Sequence, residues 1–404
     1  MLKKNNFFKS YFINSSKYYK NIIRTKKVFN SFLIDLENSN IPLLGSFEKD
    51  YEFNFSTETV KKFSKFKNIV IIGMGGSILG TKSIYSFLKA KVKKKVFFFD
   101  NLDENLHLQF NKTKILKNSC FIIISKSGNT LETIANLSMI FSKSLFKNKL
   151  IFITEMKDNV LNNVANKFNA EIIEHKNYIG GRYSVLSESG MFPAALMGLK
   201  IEKFKNLKKL VHNKNFASCL IKNVTAIYSL NTKNISNSVI LNYDSDLNNL
   251  CEWYQQLVSE SLGKKGKGIT TIVSNCPKDH HSILQLYLDG PRDKFFTFFS
   301  SKKNDKKKYK VSKNSIPKNI NFIKNKSIGS IINAQCNATK NIFGAKKIPF
   351  RQITFNKKNE DELGTIFTFF VLETILLARL MKINPFDQPA VEQVKIETKK
   401  ILLK

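Results

Sequence analysis

The stretch Ile69–Ser77, IVIIGMGGS, decides the fold, because the same design occurs again at Cys120–Thr130, CFIIISKSGNT. In each stretch, a short apolar run rich in Ile ends at Gly or Ser, and an amphipathic stretch follows. This order predicts a buried parallel strand, a tight turn of small residues and the start of a helix. If the two strands lie close together in one sheet, both helix N-termini face the same crevice.

The two turns together predict a binding site for an anion. Free N–H groups and the helix dipole both favour negative charge at a helix N-terminus. The side chains of Ser77, Ser125, Ser127 and Thr130 add hydroxyl groups to the same place. A phosphate monoester is the ligand that this combination fits best.

The first turn departs from two nucleotide-binding loops that it resembles. The dinucleotide fingerprint needs Gly where Ile78 stands, although Asp100 ends the next predicted strand, as a ribose-binding acid would. The P-loop needs Lys where Thr81 stands. The hypothesis of NAD binding is therefore weakened but not excluded. An ordinary strand–helix turn at residues 73–76 stays open as an alternative.

The composition limits the class of protein. A chain of 404 residues with 42% hydrophobic residues can form two globular domains. Its 66 Lys and Arg residues against 31 Asp and Glu give a net charge of +35, which would suit a nucleic-acid partner. However, Lys and Asn are spread over the whole length, and no RNA-binding aromatic motif or zinc-finger spacing occurs. A general compositional bias explains the charge better, so we predict no nucleic-acid partner.

The cysteines and the apolar stretches indicate a cytoplasmic protein. Five cysteines are widely spaced without a CxxC pair, which argues against a disulfide framework and against a structural zinc site. Residues 1–34 are basic and aromatic but lack the continuous apolar core of a signal peptide. The longest apolar stretch, residues 364–380, is expected to be too short and too charged for a membrane span. We therefore predict no membrane association.

Alternating strand and helix patterns predict an α/β fold with two domains of similar design. The alternation runs from residue 67 to 199 and starts again near residue 238, with helices expected at 248–262 and 363–381. We place a basic helical N-terminal arm at 1–50, a first domain at 51–200 and a second domain at 201–384. A C-terminal loop and helix follow at 385–404. Each domain should be a parallel sheet flanked by helices.

Two further motifs carry groups that can do chemistry. Arg182 follows two glycines in IGGRYSVLSESGMFP, which suits close approach to an oxyanion but also a surface loop with a salt-bridged arginine. Gln256 and Glu260 lie four residues apart in YQQLVSESLGK, on one face of a helix. Because the dipole disfavours a carboxylate near the helix C-terminus, Glu260 is either a general base or a solvated side chain.

A pair of adjacent histidines, His280 and His281, precedes a predicted helix. Adjacent side chains on a helix point in different directions, so a shared metal ion is not expected. Histidine transfers protons near neutral pH, and one of the pair is a candidate for that work. The alternative is that both residues merely begin the helix.

Six stretches of the chain, in this order, resemble the glucose-6-phosphate isomerase family. They are GMGGSILG, SKSGNTLET, GGRYSVLSESG, YQQLVSESLGK, HHSILQLYLDGPRD and NPFDQPAVEQVK, and they span residues 73–395. The resemblance implies two sugar-isomerase domains and a homodimer with shared active sites. It also implies a sugar phosphate as substrate and a reaction that needs no metal and no cofactor.

The resemblance further assigns roles to individual residues. Glu260 would move a proton between C1 and C2, and Arg182 would stabilise the developing enediolate. His281, from the neighbouring subunit, would help to open the sugar ring, with Lys395 beside the ring oxygen. The substrate would be bound by Gly76, Ser77, Ser125, Lys126, Ser127, Thr130, Gln256 and Gln388.

The implied reaction is the reversible isomerisation of D-glucose 6-phosphate and D-fructose 6-phosphate, in glycolysis and gluconeogenesis. Two alternatives stay open: an isomerase that also accepts mannose 6-phosphate, and a non-catalytic regulator that binds sugar phosphate on the same fold. A regulator would not need Glu260, His281 or Lys395, so the presence of all three favours the enzyme. The chain departs from the family at Ala390 and Val394, where Gly is usual.

Overall fold

The structure, a computed structural model, describes residues 16–112, 118–141, 149–302, 309–312 and 317–404. The first 15 residues of the predicted N-terminal arm therefore lie outside the described residues. Within the described ranges, two separate parallel sheets form, one in each half of the chain. The predicted α/β class with two domains is confirmed, whereas the exact domain boundaries stay predictions.

The first sheet has five parallel strands in the order β2-β1-β3-β4-β5. They are β1 (Asn68–Gly73), β2 (Lys95–Phe99), β3 (Ser119–Ile124), β4 (Leu150–Thr154) and β5 (Glu171–Glu174). Strand β1 pairs directly with β3, from Asn68 opposite Ser119 to Gly73 opposite Ile124. The turns that follow β1 and β3 thus lie side by side at the carboxyl edge of the sheet, as the sequence predicts.

The second sheet has four parallel strands in the order β7-β6-β8-β9. They are β6 (Asn237–Asn242), β7 (Thr270–Asn275), β8 (Lys294–Ser301) and β9 (Phe350–Phe355). This order repeats β2-β1-β3-β4 of the first sheet strand for strand. The two domains are therefore topological copies over these four strands.

Helices cover both faces of the sheets and connect the strands. Those that the structure describes are α1 (Ser16–Glu37), α2 (Thr57–Ser64), α3 (Leu79–Leu88), α4 (Glu104–Lys112), α5 (Leu131–Phe141), α6 (Val160–Lys167), α7 (Glu188–Leu196), α8 (Leu207–Val211), α9 (Lys214–Asn231), α10 (Asn248–Leu262), α11 (Leu284–Asp289), α12 (Ile328–Ala345), α13 (Glu360–Met381) and α14 (Glu392–Leu402). Helix α10 has the predicted bounds, and α13 begins three residues earlier than predicted.

Alternate residues of each strand face two different cores. In β1, Ile69 and Ile71 face a core that both sheets share, while Val70 and Ile72 face an outer core of the first sheet. Ile240 of β6 lies in the shared core from the other side. Because helices cover both faces of each parallel sheet, β1 and β3 are buried at every position, which explains their unbroken Ile-rich runs.

Helix α13 is the central element of the shared core. It is the one helix of the described residues that is long and apolar enough to cross a membrane, yet 89% of its apolar window is buried inside the protein. The prediction that this segment is too short for a span is therefore wrong, and its burial is what marks it as a core helix. Its Glu373 pairs with Arg351 of β9, with 1% and 0% of the side chains exposed.

Helix α1 packs onto the second half of the chain. It contacts α9 and α13, and it buries Tyr18, Phe29 and Phe32 against them. An ion pair of 2.7 Å joins Asp35 to Arg379 of α13. Helix α1 of the predicted basic arm is thus docked onto the second half of the chain, and its lysines are exposed to solvent.

Candidate active site

The turn after β1 packs against a second glycine-rich turn. Residues Gly75–Ser77 form a single 3-10 turn that contacts the 3-10 helix Gly181–Leu186. A Cβ atom on Gly76 would lie 2.2 Å from the carbonyl carbon of Gly181 and 2.4 Å from the backbone nitrogen of Arg182. Only glycine fits there, and this close approach brings Arg182 to the carboxyl edge of the first sheet.

Arg182 is 2% exposed and forms the centre of a hydrogen-bonded cluster. Its Nε donates to Oγ of Ser261 at 2.9 Å. Its Nη1 donates to Oε2 of Glu260 at 3.1 Å and to Oε1 of Gln388. The guanidinium charge is therefore fixed in place beside a carboxylate, at the point where the two halves of the chain meet.

The C-terminal loop supplies the remaining acceptors of the guanidinium. Nη2 of Arg182 donates to the carbonyl oxygens of Pro385 at 2.6 Å and Asp387 at 3.0 Å. Lys264, just past the end of α10, holds the same loop through the Asp387 carboxylate at 2.7 Å and the Asn384 carbonyl at 2.5 Å. These contacts leave the arginine little freedom to rotate.

Glu260 lies on the last turn of α10 with 30% of its side chain exposed. Gln256, one turn earlier, donates from Nε2 to Oε1 of Glu260 at 3.1 Å. A Cβ atom on Gly75 would lie 3.0 Å from the same Nε2, so the amide sits against the Gly75–Ser77 turn. The carboxylate is thus oriented on both oxygens and still reachable from solvent, which is the geometry that a general base requires.

The turn after β3 places a group of hydroxyls beside the Gly75–Ser77 turn. Oγ of Ser125 lies 2.8 Å from Oγ1 of Thr130, and the Ser127 hydroxyl accepts a backbone N–H from within the loop. Gly128 has a φ of +69°, and a Cβ atom there would lie 2.0 Å from Oδ1 of Asn159. The loop is therefore fixed by a residue that tolerates no side chain, with its hydroxyls adjacent to the first turn.

Lys126 belongs to the same loop, but its ammonium bonds to the protein. Nζ donates to the carbonyl of Asn177 at 2.6 Å and lies 3.7 Å from the Glu155 carboxylate. Burial lowers the pKa of Lys126 below its ordinary value. Lys126 therefore belongs to the loop of the predicted phosphate pocket. Its ammonium group, however, already contacts a carbonyl and a carboxylate of the protein.

His281 and Lys395 are not brought to the Arg182–Glu260 cluster within the described part of this chain. His281 lies on the surface in the short turn Lys278–His281. Lys395 lies on α14 with 65% of its side chain exposed, and its Nζ is 3.0 Å from the Glu392 carboxylate. Both side chains are exposed to solvent in this subunit.

Several residues of the cluster are missing from the sequence-based prediction. Ser261 and Tyr183 bond to one another at 2.8 Å, and the Tyr183 hydroxyl donates to the Pro385 carbonyl at 3.0 Å. Each is the immediate neighbour of a predicted residue, and that adjacency is the signal that could have found them. Among the described residues, no group of three or more His, Cys, Asp or Glu side chains is arranged to hold a metal ion.

The sequence profile of the phosphoglucose isomerase family matches residues 49–404. The chain belongs to the phosphoglucose isomerase family. It is 34% identical over 359 residues to a glucose-6-phosphate isomerase of Methanocaldococcus jannaschii, covering 86% of this chain and 87% of the relative. It is 31% identical over 352 residues to a glucose-6-phosphate isomerase of Campylobacter jejuni, covering 83% and 85%.

Solved structures show the same fold as this family member. A hypothetical protein from Thermus thermophilus superposes with a TM-score of 0.84 at 21% identity, covering 99% of each chain. A glucose-6-phosphate isomerase from Chlamydia trachomatis superposes with a TM-score of 0.70 at 19% identity, covering 85% of this chain and 71% of the other. At these identities the similarity establishes the fold alone.

Proposed function

We propose that this phosphoglucose isomerase family member interconverts D-glucose 6-phosphate and D-fructose 6-phosphate. Its family and the glucose-6-phosphate isomerases to which it is similar support this reaction. The observation that carries the proposal is the Glu260 carboxylate, oriented by Gln256 and Arg182 at the mouth of the crevice. Nothing in the site favours the alternatives of mannose 6-phosphate or a non-catalytic regulator.

Glu260 is the proposed base of the isomerisation. In the open-chain sugar, it removes the proton on the carbon next to the carbonyl group and returns it to the neighbouring carbon. A positioned base contributes typically ~10²–10⁴-fold to such a step. Arg182, whose guanidinium lies 3.1 Å from the Glu260 carboxylate, stabilises the negative charge that develops on the enediolate oxygen. The five hydrogen bonds of Arg182 keep this charge in position before the substrate arrives.

The paired turns after β1 and β3 are the proposed phosphate site. Ser125, Ser127 and Thr130 offer hydroxyls, and the Gly75–Ser77 turn offers the backbone of two glycines without bulky side chains. The phosphate lies away from the reacting carbons, so its binding energy serves to orient the sugar. Lys126 contributes through the shape of the loop, because its ammonium already contacts the Asn177 carbonyl and the Glu155 carboxylate.

We also propose that the active protein is a homodimer whose two sites share residues. The apolar side chains of α14 support a partner, because Val394, Ile396, Ile401 and Leu402 are each more than half exposed. No residue of α14 is buried in the single subunit. The proposed role of His281 from the neighbouring subunit fits its exposed position in the short turn Lys278–His281.

Mixing two inactive variants tests the shared site. Glu260→Gln and His281→Ala are each expected to be inactive alone, but subunit exchange creates dimers in which one site has both native residues. Random exchange makes half of the dimers mixed, so about a quarter of wild-type activity should return. Wild-type protein treated in the same way is the control. A mixture as inactive as its components, although exchange has occurred, would count against a shared site.

The direct test of the reaction is a coupled assay in which purified protein forms glucose 6-phosphate from fructose 6-phosphate. Turnover supports the proposal, and no turnover with correctly folded protein contradicts it. We further propose a cytoplasmic location and a role in glycolysis and gluconeogenesis, which the free thiols of all five cysteines support. Fractionation of cells with an antibody against the protein checks the location.

A further inference from the structure

The second sheet carries a cavity at its own carboxyl edge. The cavity has a volume of about 320 Å³, which lies within the range of small-ligand sites. Ser300 and Ser301 line it from the end of β8, Thr354 from β9, and Gly329 and Lys340 from α12. We refer to it below as the β8 cavity.

The β8 cavity lies beside the strand of the second domain that corresponds to β3, the strand that leads into the proposed phosphate pocket of the first domain. Strand β3 leads through its hydroxyl-rich turn into α5 and then β4, and β8 leads into α12 and then β9. Both β3 and β8 lie next to the central strand of their sheet and pair with it in parallel. Ser300 and Ser301 therefore stand at the end of β8 much as Ser125 follows β3.

The first turn of α12 faces this cavity. Ser327 caps the helix by accepting the backbone N–H of Ser330 at 3.0 Å, and Gly329 and Ser330 line the cavity wall. Helix α12 has 18 residues, so its N-terminus carries a full helix dipole. The absence of a side chain on Gly329 leaves the backbone of this turn open to a ligand.

Charge in the β8 cavity is positive. Lys302 and Lys340 line it, and none of the described lining residues is acidic. The ammonium of Lys340 has a neutral partner, Oε1 of Gln352 at 3.0 Å. The carboxylate of Asp244, which interacts with the hydroxyl of the lining residue Ser301, already pairs with Lys358 at 2.8 Å. An anion with several oxygen acceptors is the ligand that complements two lysines, the Ser300 and Thr354 hydroxyls, which lie 3.2 Å apart, and a helix N-terminus.

We propose that the β8 cavity is a second binding site of this chain, which takes the phosphate group of a small phosphorylated metabolite or inorganic phosphate. The site uses no residue of the Arg182–Glu260 cluster, so it does not depend on the proposed isomerase reaction. It differs from the first site in lacking a carboxylate that could act as a base among its described lining residues. The β8 cavity thus binds an anion without transforming it.

Equilibrium dialysis of the full chain against inorganic phosphate measures the number of sites. The wild-type protein should bind two equivalents per chain. The double variant Lys302→Gln, Lys340→Gln should bind one equivalent, with at least tenfold weaker binding at the second site. Thr354→Val, which removes one hydroxyl at nearly constant volume, should weaken the same site without any change in net charge.

A control with the same change in charge separates a built site from general attraction to a very basic protein. Lys167→Gln, Lys214→Gln replaces two exposed lysines outside the cavity and should keep both equivalents. An unchanged number of bound equivalents in the cavity variant, or equal losses in the cavity and control variants, would overturn the proposal. Coupled assays of the cavity variant should show unchanged turnover in phosphate-free buffer, so failure of the isomerase proposal is detected separately.

Competition with fructose 6-phosphate then identifies the source of the phosphate group. If the sugar phosphate displaces both equivalents of inorganic phosphate, the β8 cavity accepts a phosphorylated metabolite. If it displaces only the equivalent that the cavity variant retains, the β8 cavity takes free phosphate. Both results keep the proposed chemistry of the site and assign its ligand.

Discussion

Replacement of Glu260 by Gln isolates the proposed base from its surroundings. The carboxylate accepts hydrogen bonds from Nη1 of Arg182 and from Nε2 of Gln256, both at 3.1 Å. The new amide keeps an oxygen that accepts from Arg182. Its NH₂ group, however, would face the NH₂ group of Gln256, so that two donors oppose one another. Oε1 of Gln256 is buried without a hydrogen-bond partner, so a flip of that amide gives the NH₂ group an acceptor. The site should therefore keep its shape and lose its base.

The expected loss of activity follows from the function of that base. A positioned base contributes ~10²–10⁴-fold, so kcat of the Glu260→Gln variant should fall by that factor, or by about 3–5 kcal/mol of transition-state stabilisation. KM for fructose 6-phosphate should change little, because the proposed phosphate turns lie on β1 and β3 and are untouched. Glu260→Asp keeps the charge but withdraws the carboxylate by about 1 Å, which costs on the order of 10²-fold.

Two assays and one control measure this loss. Formation of glucose 6-phosphate from fructose 6-phosphate, read through a coupled dehydrogenase, gives kcat and KM. Exchange of the sugar's transferable proton with deuterated solvent, followed by NMR, should stop in Glu260→Gln if this carboxylate moves the proton. Thermal unfolding with and without sugar phosphate checks that the variant is folded and still binds.

Two results would refute the assignment of the base. One is a Glu260→Gln variant that keeps more than about a tenth of the wild-type kcat, because the base contribution would then be below its usual range. The other is a rise in KM as large as the fall in kcat/KM, with kcat unchanged, which would make Glu260 a binding residue.

Three further variants test the packing and the buried charges. Gly76→Ala should abolish isomerase activity and destabilise the fold by about 1–3 kcal/mol, because its Cβ would lie 2.2 Å from the facing backbone, whereas Gly45→Ala, with nothing within 4 Å, should match wild type in both assays. Burial lowers the pKa of His175 to about 4, so the unfolded state takes up a proton first as the pH falls. Urea unfolding should show the wild-type protein losing about 2 kcal/mol more than His175→Gln between pH 7 and pH 5, and parallel pH curves would contradict this. Glu373→Gln leaves the buried Arg351 without its counter-charge and should lower the free energy of unfolding by about 3–5 kcal/mol, a loss that an unchanged urea midpoint would disprove.

Most strands and helices of the fold follow from local patterns in the sequence. Unbroken Ile-rich runs with small residues at their ends predict parallel strands, since only strands covered on both faces are apolar throughout. The pairing of β1 with β3 was expected from the similarity of their turns, and the register confirms it. The short strand β5 and the alternating β9 carry weaker patterns, and the prediction did not include them. Helix α13 is longer than predicted because its first residues are Glu and Asp at a capped N-terminus.

The candidate site was only partly predictable. Arg182 follows two glycines, and Gln256 and Glu260 lie four residues apart near the C-terminus of a helix. These positions single out the three residues in the sequence, and the structure brings them together. Ser261 and the carbonyl groups of the C-terminal loop bind Arg182 just as directly, but a serine and a backbone oxygen have no signature in a sequence. Their part depends on long-range packing of α10 against α3 and against the turn of Arg182, which no local pattern encodes.

The positions of His281 and Lys395 show a different limit. The residues themselves make either histidine of the pair a candidate for proton transfer, whereas the choice of His281 and the role of Lys395 come from the family resemblance alone. In one subunit, both side chains lie at the surface, and Lys395 pairs with its helical neighbour Glu392.

The fastening of Arg182 by the C-terminal loop has a consequence for protein synthesis. The guanidinium donates to the Pro385 carbonyl, which follows it by 203 residues in the chain. On the ribosome, every strand through β9, which ends at Phe355, is translated before these acceptors exist. A nascent chain can therefore build both sheets while its arginine still lacks a fixed orientation. Catalytic activity should appear only after translation has passed Gln388. Unfinished chains are then largely folded but inactive.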